Sequence, residues 1–184
     1  MAHYQKAHSI KLGGQIMNTK IVIFGNSGSG KSTLAKQLAN KYHIHHIDLD
    51  SYAWLPTKEG IPPTRTPIKE VRSALNNELA HRQDWVIEGC YSDILSLVMP
   101  LASQVYFLNL PTELCVENAK SRPWEPHKYS SKKAQDENLE MLLQWIRQYT
   151  QRNDEFSLQQ HQKLFDLFKG QKEMFTENSA HSHL

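Results

Sequence analysis

Residues 25–32 read Gly-Asn-Ser-Gly-Ser-Gly-Lys-Ser, two glycines five positions apart, the second followed by a lysine and a hydroxyl residue. This spacing suits a polyphosphate. Glycines at Gly25, Gly28 and Gly30 allow backbone angles that other residues avoid. The N–H groups contributed by Asn26, Ser27 and Ser29 then turn inward with theirs around an anion. A helix opening at Lys31 would aim its positive N-terminal end at the same charge. Lys31 would bridge the β- and γ-phosphates, Ser32 would place its hydroxyl on Mg²⁺, and Thr33 would reach the α-phosphate. The ligand implied is a nucleoside triphosphate, ATP or GTP, with Mg²⁺; no base-contacting signature separates the two.

Three further sets of residues have types that fit phosphoryl transfer. Asp48 and Asp50 fall at the C-terminal end of an expected strand, "IHHIDLD", the edge where open α/β sheets bind ligands. There Asp50 would orient or deprotonate an acceptor hydroxyl. Glu88 closes "WVIE", three apolar residues and then a carboxylate, at the position where many nucleotide-binding proteins carry an acidic residue that holds the Mg²⁺ shell. Arg65 lies in a proline-rich loop, placed to clamp an acceptor anion, and Trp54 beside it is placed to contact a ring. Arg122, Arg147 and Arg152 are candidates to neutralise charge developing on the transferred group, Arg122 and Arg147 foremost. His43, His45 and His46 alternate faces, a poor metal geometry, and read as structural.

Short apolar runs alternating with helical periodicity must position these groups, the pattern of a parallel α/β sheet. Strands are expected at 20–25, 44–50, 84–89, 103–111 and 172–176. Helices are expected from Lys31 on, then from Pro67 with Thr66 as N-cap, over 92–99, 112–121 and 134–150, and around 156–169 with Gly170 as a C′ glycine. The long helix carries Leu139, Leu142, Leu143, Ile146 and Tyr149 on one face. The segment 51–66 holds three of the eight prolines and reads as a loop; 121–133 is basic and reads as a mobile excursion.

Composition narrows the class. A charged fraction of 22% and a hydrophobic fraction of 39% fit a soluble globular domain, and a net charge of +2 is too small to point to nucleic acid by itself. The two cysteines, Cys90 and Cys115, read as reduced core thiols of a cytoplasmic protein. No segment approaches the roughly 18 apolar residues of a membrane span. Residues 1–16 and 177–184 read as disordered extensions, with Met17 a candidate start, and 17–176 as one domain with an acceptor segment at 51–82 and a lid at 121–133.

With "IVIFGNSGSGKSTLAKQLA", "HIDLDSYAW", "WVIEGCYSD", "VYFLNLP" and "HQKLFDLF" placed, residues 17–176 resemble the small P-loop kinases of the adenylate and shikimate kinase kind. They look closest to the bacterial topology modulation proteins, often labelled adenylate-kinase-like. The resemblance implies a three-layer P-loop NTPase fold with a five-stranded parallel sheet in the order 2-3-1-4-5 and a short lid. It also implies transfer of the ATP γ-phosphoryl to a small-molecule acceptor, nucleotide-like or another hydroxyl or phosphate compound. The chain departs from that pattern in three places. "EGCY" replaces the triple glycine of shikimate kinases, Glu88-Gly89 stands for the usual Asp-Gly, and Asn118 stands where related proteins often carry an arginine. The rival reading is a nucleotide-binding regulatory or DNA-associated protein using the basic run 120–133.

Overall fold

The computed structural model describes residues 11–12, 15–16, 18–56, 63–125 and 130–178. Most of the two expected terminal extensions, and residues 126–129 of the expected lid, lie outside the described residues. Within the first extension, residues 11–12 and 15–16 pair as two-residue antiparallel strands.

Five parallel strands form the central sheet: β1 Lys20–Gly25, β2 His45–Asp48, β3 Trp85–Gly89, β4 Gln104–Leu108 and β5 Gln171–Phe175. Their order is β2-β3-β1-β4-β5, the 2-3-1-4-5 arrangement of a P-loop NTPase fold. The central strand β1 is apolar on both faces because helices cover both. Ile21 and Ile23 face one layer, made by α1 Lys31–Tyr42, α5 Thr112–Lys120 and α7 Leu139–Arg147. Val22 and Phe24 face the other, made by α3 Ile68–Leu79, α4 Ser92–Val98 and α8 Leu158–Leu167. Phe24 stacks on Phe107 of β4 with centroids 5.0 Å apart, locking two neighbouring strands on that side.

Several expectations shift by a few residues, each for a local reason. The strand expected over 44–50 stops at Asp48, and Asp50 already opens a one-turn helix, α2 Asp50–Ala53. Pro67, not Thr66, is the N-cap of α3; its backbone is extended, and its ring nitrogen has no N–H to leave unsatisfied. The helix expected over 134–150 divides at Asn138 into α6 Lys132–Glu137 and α7, and ends as a 3₁₀ turn at Gln148–Thr150. Asn138 bonds its side chain back to the Ala134 carbonyl, one of the local bonds by which asparagine competes with a continuing helix.

Gly170 is not a helix cap. Helix α8 ends at Leu167, Phe168 turns extended, and Gly170 sits where a Cβ would meet the Phe168 ring at 2.7 Å. Among the described residues no helix is long and apolar enough to cross a membrane.

Candidate functional site

The C-terminal edge of the sheet opens into a cavity of about 780 Å³. Its floor is the loop between β1 and α1. Gly28 and Gly30 there hold positive φ angles of 77° and 88°. At Gly28 a Cβ would also run into the Cys115 carbonyl oxygen, whereas at Gly30 it would meet nothing within 4 Å. The first glycine is thus fixed by space and angle together, the second by angle alone.

The loop is tied from outside. The Asn26 side chain donates to the Ile146 carbonyl at the end of α7 (3.1 Å), and Asn118 of α5 donates to the Gly28 carbonyl (2.9 Å). Lys31, largely buried, donates to the Asn26 carbonyl across the loop (2.8 Å). Its ammonium is thereby held against the loop's own backbone. Ser29 is fully buried, its hydroxyl without a hydrogen-bond partner among the described residues.

Glu88, at the end of β3, is 2% exposed, and its Oε1 has no hydrogen-bond partner among the described residues. His46 Nε2 stands 3.7 Å from that oxygen. Burial alone would raise the Glu88 pKa; His46, the Lys31 charge and the Ser32 hydroxyl outweigh it and hold the carboxyl below its ordinary value. A buried, charged carboxylate oxygen with spare lone pairs beside a serine hydroxyl is a hard-oxygen donor set that fits Mg²⁺. Ser32 and Glu88 would hold that ion.

Asp50 lies on the same cavity, two strands from the phosphate loop in the order β2-β3-β1. At the usual spacing, that separates their strands by roughly 10 Å. Asp50 is held by a chain of side chains. Tyr91 donates its hydroxyl proton to Asp50 Oδ1 (2.7 Å), and the Trp54 indole N–H donates to the Tyr91 oxygen (2.8 Å). Burial, then the Cys90 and Asp50 charges, push the Tyr91 phenol far above its ordinary pKa, so it stays a donor. The Asp50 N–H donates to the Asp48 carboxylate (2.9 Å), which fixes the start of α2.

An aromatic wall continues from Trp54 and Tyr91 through Phe156 and Trp145, all lining the cavity. Behind it stands Arg65. Its guanidinium carbon lies 5.0–5.6 Å from the ring centroids of Tyr91, Phe156 and Trp54, and its two terminal nitrogens reach Asp93 (2.8 Å) and Glu155 (2.7 Å). An isolated antiparallel bridge, Trp54 to Arg65, fastens the two ends of the loop between them. Arg152 repeats the device: it stacks 3.3 Å over Trp145 and pairs with Asp154 at 2.7 Å.

The structure therefore gathers Ser27, Gly28, Gly30, Lys31, Ser32, Thr33, Asp50, Trp54, Glu88 and Arg122 around one cavity. Arg122 arrives there paired with Glu125 (2.9 Å). Three candidate arginines, Arg65, Arg147 and Arg152, stand off the cavity, Arg152 on Trp145 as described. Arg65 is behind the wall, its terminal nitrogens taken by carboxylates. Arg147 lies off the cavity, exposed, with a carboxylate oxygen of Glu113 at 3.9 Å. Trp145 holds a cavity-facing position on α7, and two residues further along a helix point about 200° away.

Tyr91, Phe156 and Asn118 are site residues that sequence reasoning does not assign. Tyr91 has a signal, since it lies two residues beyond a strand's C-terminal end; Phe156 has none.

With this geometry in hand, relatives place the chain. The profile of the AAA domain matches residues 21–142, from β1 into α7. The chain belongs to that family. Its members are P-loop NTPases, and in this AAA domain the match covers the phosphate loop, Asp50 and Glu88 together. The uncharacterized protein YqaC of Bacillus subtilis (strain 168) is 31% identical over 114 residues, covering 59% of this chain. The chain spans 59% of the length of that relative.

Two solved structures are similar to this AAA domain chain. A gluconokinase from Sinorhizobium meliloti 1021 matches at 22% identity over 72% of this chain and 74% of its own, with a TM-score of 0.45. A shikimate kinase from Bacteroides thetaiotaomicron matches at 20% identity over 81% of this chain and 97% of its own, with a TM-score of 0.44.

Proposed function

We propose that the chain is a kinase that transfers the terminal phosphoryl group of Mg²⁺-ATP or Mg²⁺-GTP to a hydroxyl of a small acceptor, within the topology modulation group it resembles. One observation carries this reading: the phosphate loop with Lys31 and a hydrogen-bonded carboxylate, Asp50, open onto the same cavity. A protein that only binds a nucleotide needs the first of these; a group transfer needs both.

The chemistry follows from position. An acceptor hydroxyl beside Asp50 loses its proton to the carboxylate that Tyr91 orients. The acceptor oxygen bonds to the γ-phosphorus while the bond from that phosphorus to the β–γ bridging oxygen breaks. The nucleoside diphosphate leaves with that electron pair. Lys31 leaves the Asn26 carbonyl for the phosphate oxygens, exchanging a neutral acceptor for a charged one. Arg122, at the start of the lid segment, adds charge neutralisation when the lid closes and water is excluded. Ser32 and Glu88 would hold Mg²⁺, which would add to the neutralisation of the phosphate oxygens.

The test is thermal stability with Mg²⁺ plus ATP or GTP, then nucleoside diphosphate release with an acceptor panel of nucleotides, nucleosides, sugars and hydroxy acids. Binding to the folded state raises apparent stability by RT ln(1 + [L]/Kd), so an ATP shift is expected before any acceptor is known. An acceptor should then raise diphosphate release above the basal rate. Absence of any nucleotide shift would overturn the reading.

A further inference from the structure

We infer that the acceptor is an uncharged, ring-bearing alcohol rather than a phosphorylated or carboxylated compound, because the wall beside Asp50 is built of aromatic rings whose backing arginines are already paired with carboxylates. The inference rests on the kinase reading and names its substrate class.

The wall is unusual in where it keeps its charge. Arg65 and Arg152 both pack against cavity-lining rings, yet neither lines the cavity. Asp93 and Glu155 take the terminal nitrogens of Arg65, and Asp154 takes Arg152. Three carboxylates thus serve two guanidinium groups, leaving the backing of the wall with one negative charge in excess. Arg65 is three-quarters buried and Arg152 still more so, and turning either toward a new anion would take a largely buried guanidinium off the carboxylates and rings that now hold it.

On the cavity side, the groups are Asp50, Tyr91, and the faces and edges of Trp54, Phe156 and Trp145. Among the described residues, the cavity's lysines and arginines are Lys31 and Lys36, both on α1, and Arg122 beyond α5. Lys31 and Lys36 belong to the helix that follows the phosphate loop, and Arg122 follows α5, whose Asn118 bonds that loop. An anionic acceptor would meet the Asp50 carboxylate with no guanidinium of the wall released to receive it. A sugar or nucleobase ring would instead bury apolar surface against the rings and present its hydroxyl to Asp50, an arrangement that such walls favour.

The experiment compares acceptors in matched pairs with the full chain and Mg²⁺-ATP: adenosine and cytidine against their 5′-monophosphates, and glucose against gluconate and glucose 6-phosphate. The neutral member of at least one pair should give kcat/KM at least tenfold above its anionic partner. Trp54, which is 37% exposed, offers a variant that folds: Trp54→Leu should raise KM for that acceptor severalfold while the Mg²⁺-ATP thermal shift stays as in the natural chain. Faster turnover of the anionic members, with the ATP shift intact, overturns this inference alone. No ATP shift at all overturns the kinase reading beneath it. An unchanged KM in Trp54→Leu removes the wall from the acceptor's binding.

Discussion

The two halves of the cavity are made in opposite ways. The nucleotide half is backbone: one loop, local in sequence, whose amides and left-handed glycines between β1 and α1 shape the site. The acceptor half is side chain: Asp50 and Trp54 at the two ends of α2, with Tyr91, Trp145 and Phe156, come from four places along the chain, and two arginines brace them from behind. A backbone cradle tolerates change in its neighbours but not in its own conformation. A side-chain wall tolerates small backbone shifts but depends on every hydrogen bond that fixes a ring or a carboxylate.

The contrast is best broken first at Lys31. Lys31→Ala should lower turnover by about 10³-fold, the scale expected when one preorganised donor to developing charge is removed. Diphosphate release against enzyme concentration reads it, with far-ultraviolet circular dichroism to show the fold intact.

The glycines come next, and they sharpen the distinction between angle and space. Gly28→Ala must displace the Cys115 carbonyl as well as hold a positive φ, and should cost about 2–4 kcal/mol in urea unfolding together with the Mg²⁺-ATP shift. Gly30→Ala meets open space and should cost about 1–2 kcal/mol, the angular penalty alone. Equal losses would show that the close approach at Gly28 does not matter.

A third test concerns the ground on which the wall stands. His161 is wholly buried in α8, in contact through Nδ1 with the Tyr149 hydroxyl (2.7 Å) and through Nε2 with the Cys90 carbonyl (2.9 Å). Desolvation, opposed in part by the Cys90 bond, lowers its pKa to about 4, so the folded ring is neutral, accepting from Tyr149 and donating to Cys90. The unfolded chain binds a proton there at about pH 6.5 and the folded chain does not until about pH 4. Stability is therefore full above pH 6.5 and falls as the pH drops from there to 4. The loss from this group is about 3 kcal/mol. Denaturant melts of the natural chain and His161→Gln should differ in slope across that window and run parallel above it.

The smallest effect falls on the other side of the comparison. Tyr91→Phe removes the bond that orients Asp50 and should cost about 1 kcal/mol of stability. It should reduce acceptor-dependent turnover about tenfold while leaving the Mg²⁺-ATP shift where it was, because its hydroxyl bonds to Asp50 and Trp54 rather than to the phosphate loop.

The same division explains which features are legible in the amino-acid sequence. The phosphate loop and the flanking strand and helix are local, so spacing along one short stretch carries them, and β1 spans the apolar run Ile21–Phe24 with one residue more at each end. The inner strands follow from their apolar runs, whereas the edge strands, His-His-Ile-Asp and Gln-Lys-Glu-Met-Phe, carry a weaker signal; Glu88 stands out by its place at a strand end and Asp50 by its place just beyond one. The wall is not legible because no local pattern joins Tyr91 to Phe156 or says that Arg65 will meet Asp93 and Glu155. Arg147 misleads for a similar reason: charge near a helix end is visible in sequence, but the face it takes depends on which neighbour, here Trp145, packs inward. Gly170 looks like a helix cap, yet what demands a glycine there is the Phe168 ring.

The bridge between Trp54 and Arg65 has one more consequence, for anyone who would change what this chain accepts. By pinning both ends of the intervening loop, it separates the loop's length from the placement of the wall. Closing a loop of twice the length costs only about 0.6 kcal/mol. A change in length between the pinned residues therefore leaves Trp54 and Arg65, and the wall they belong to, where they stand.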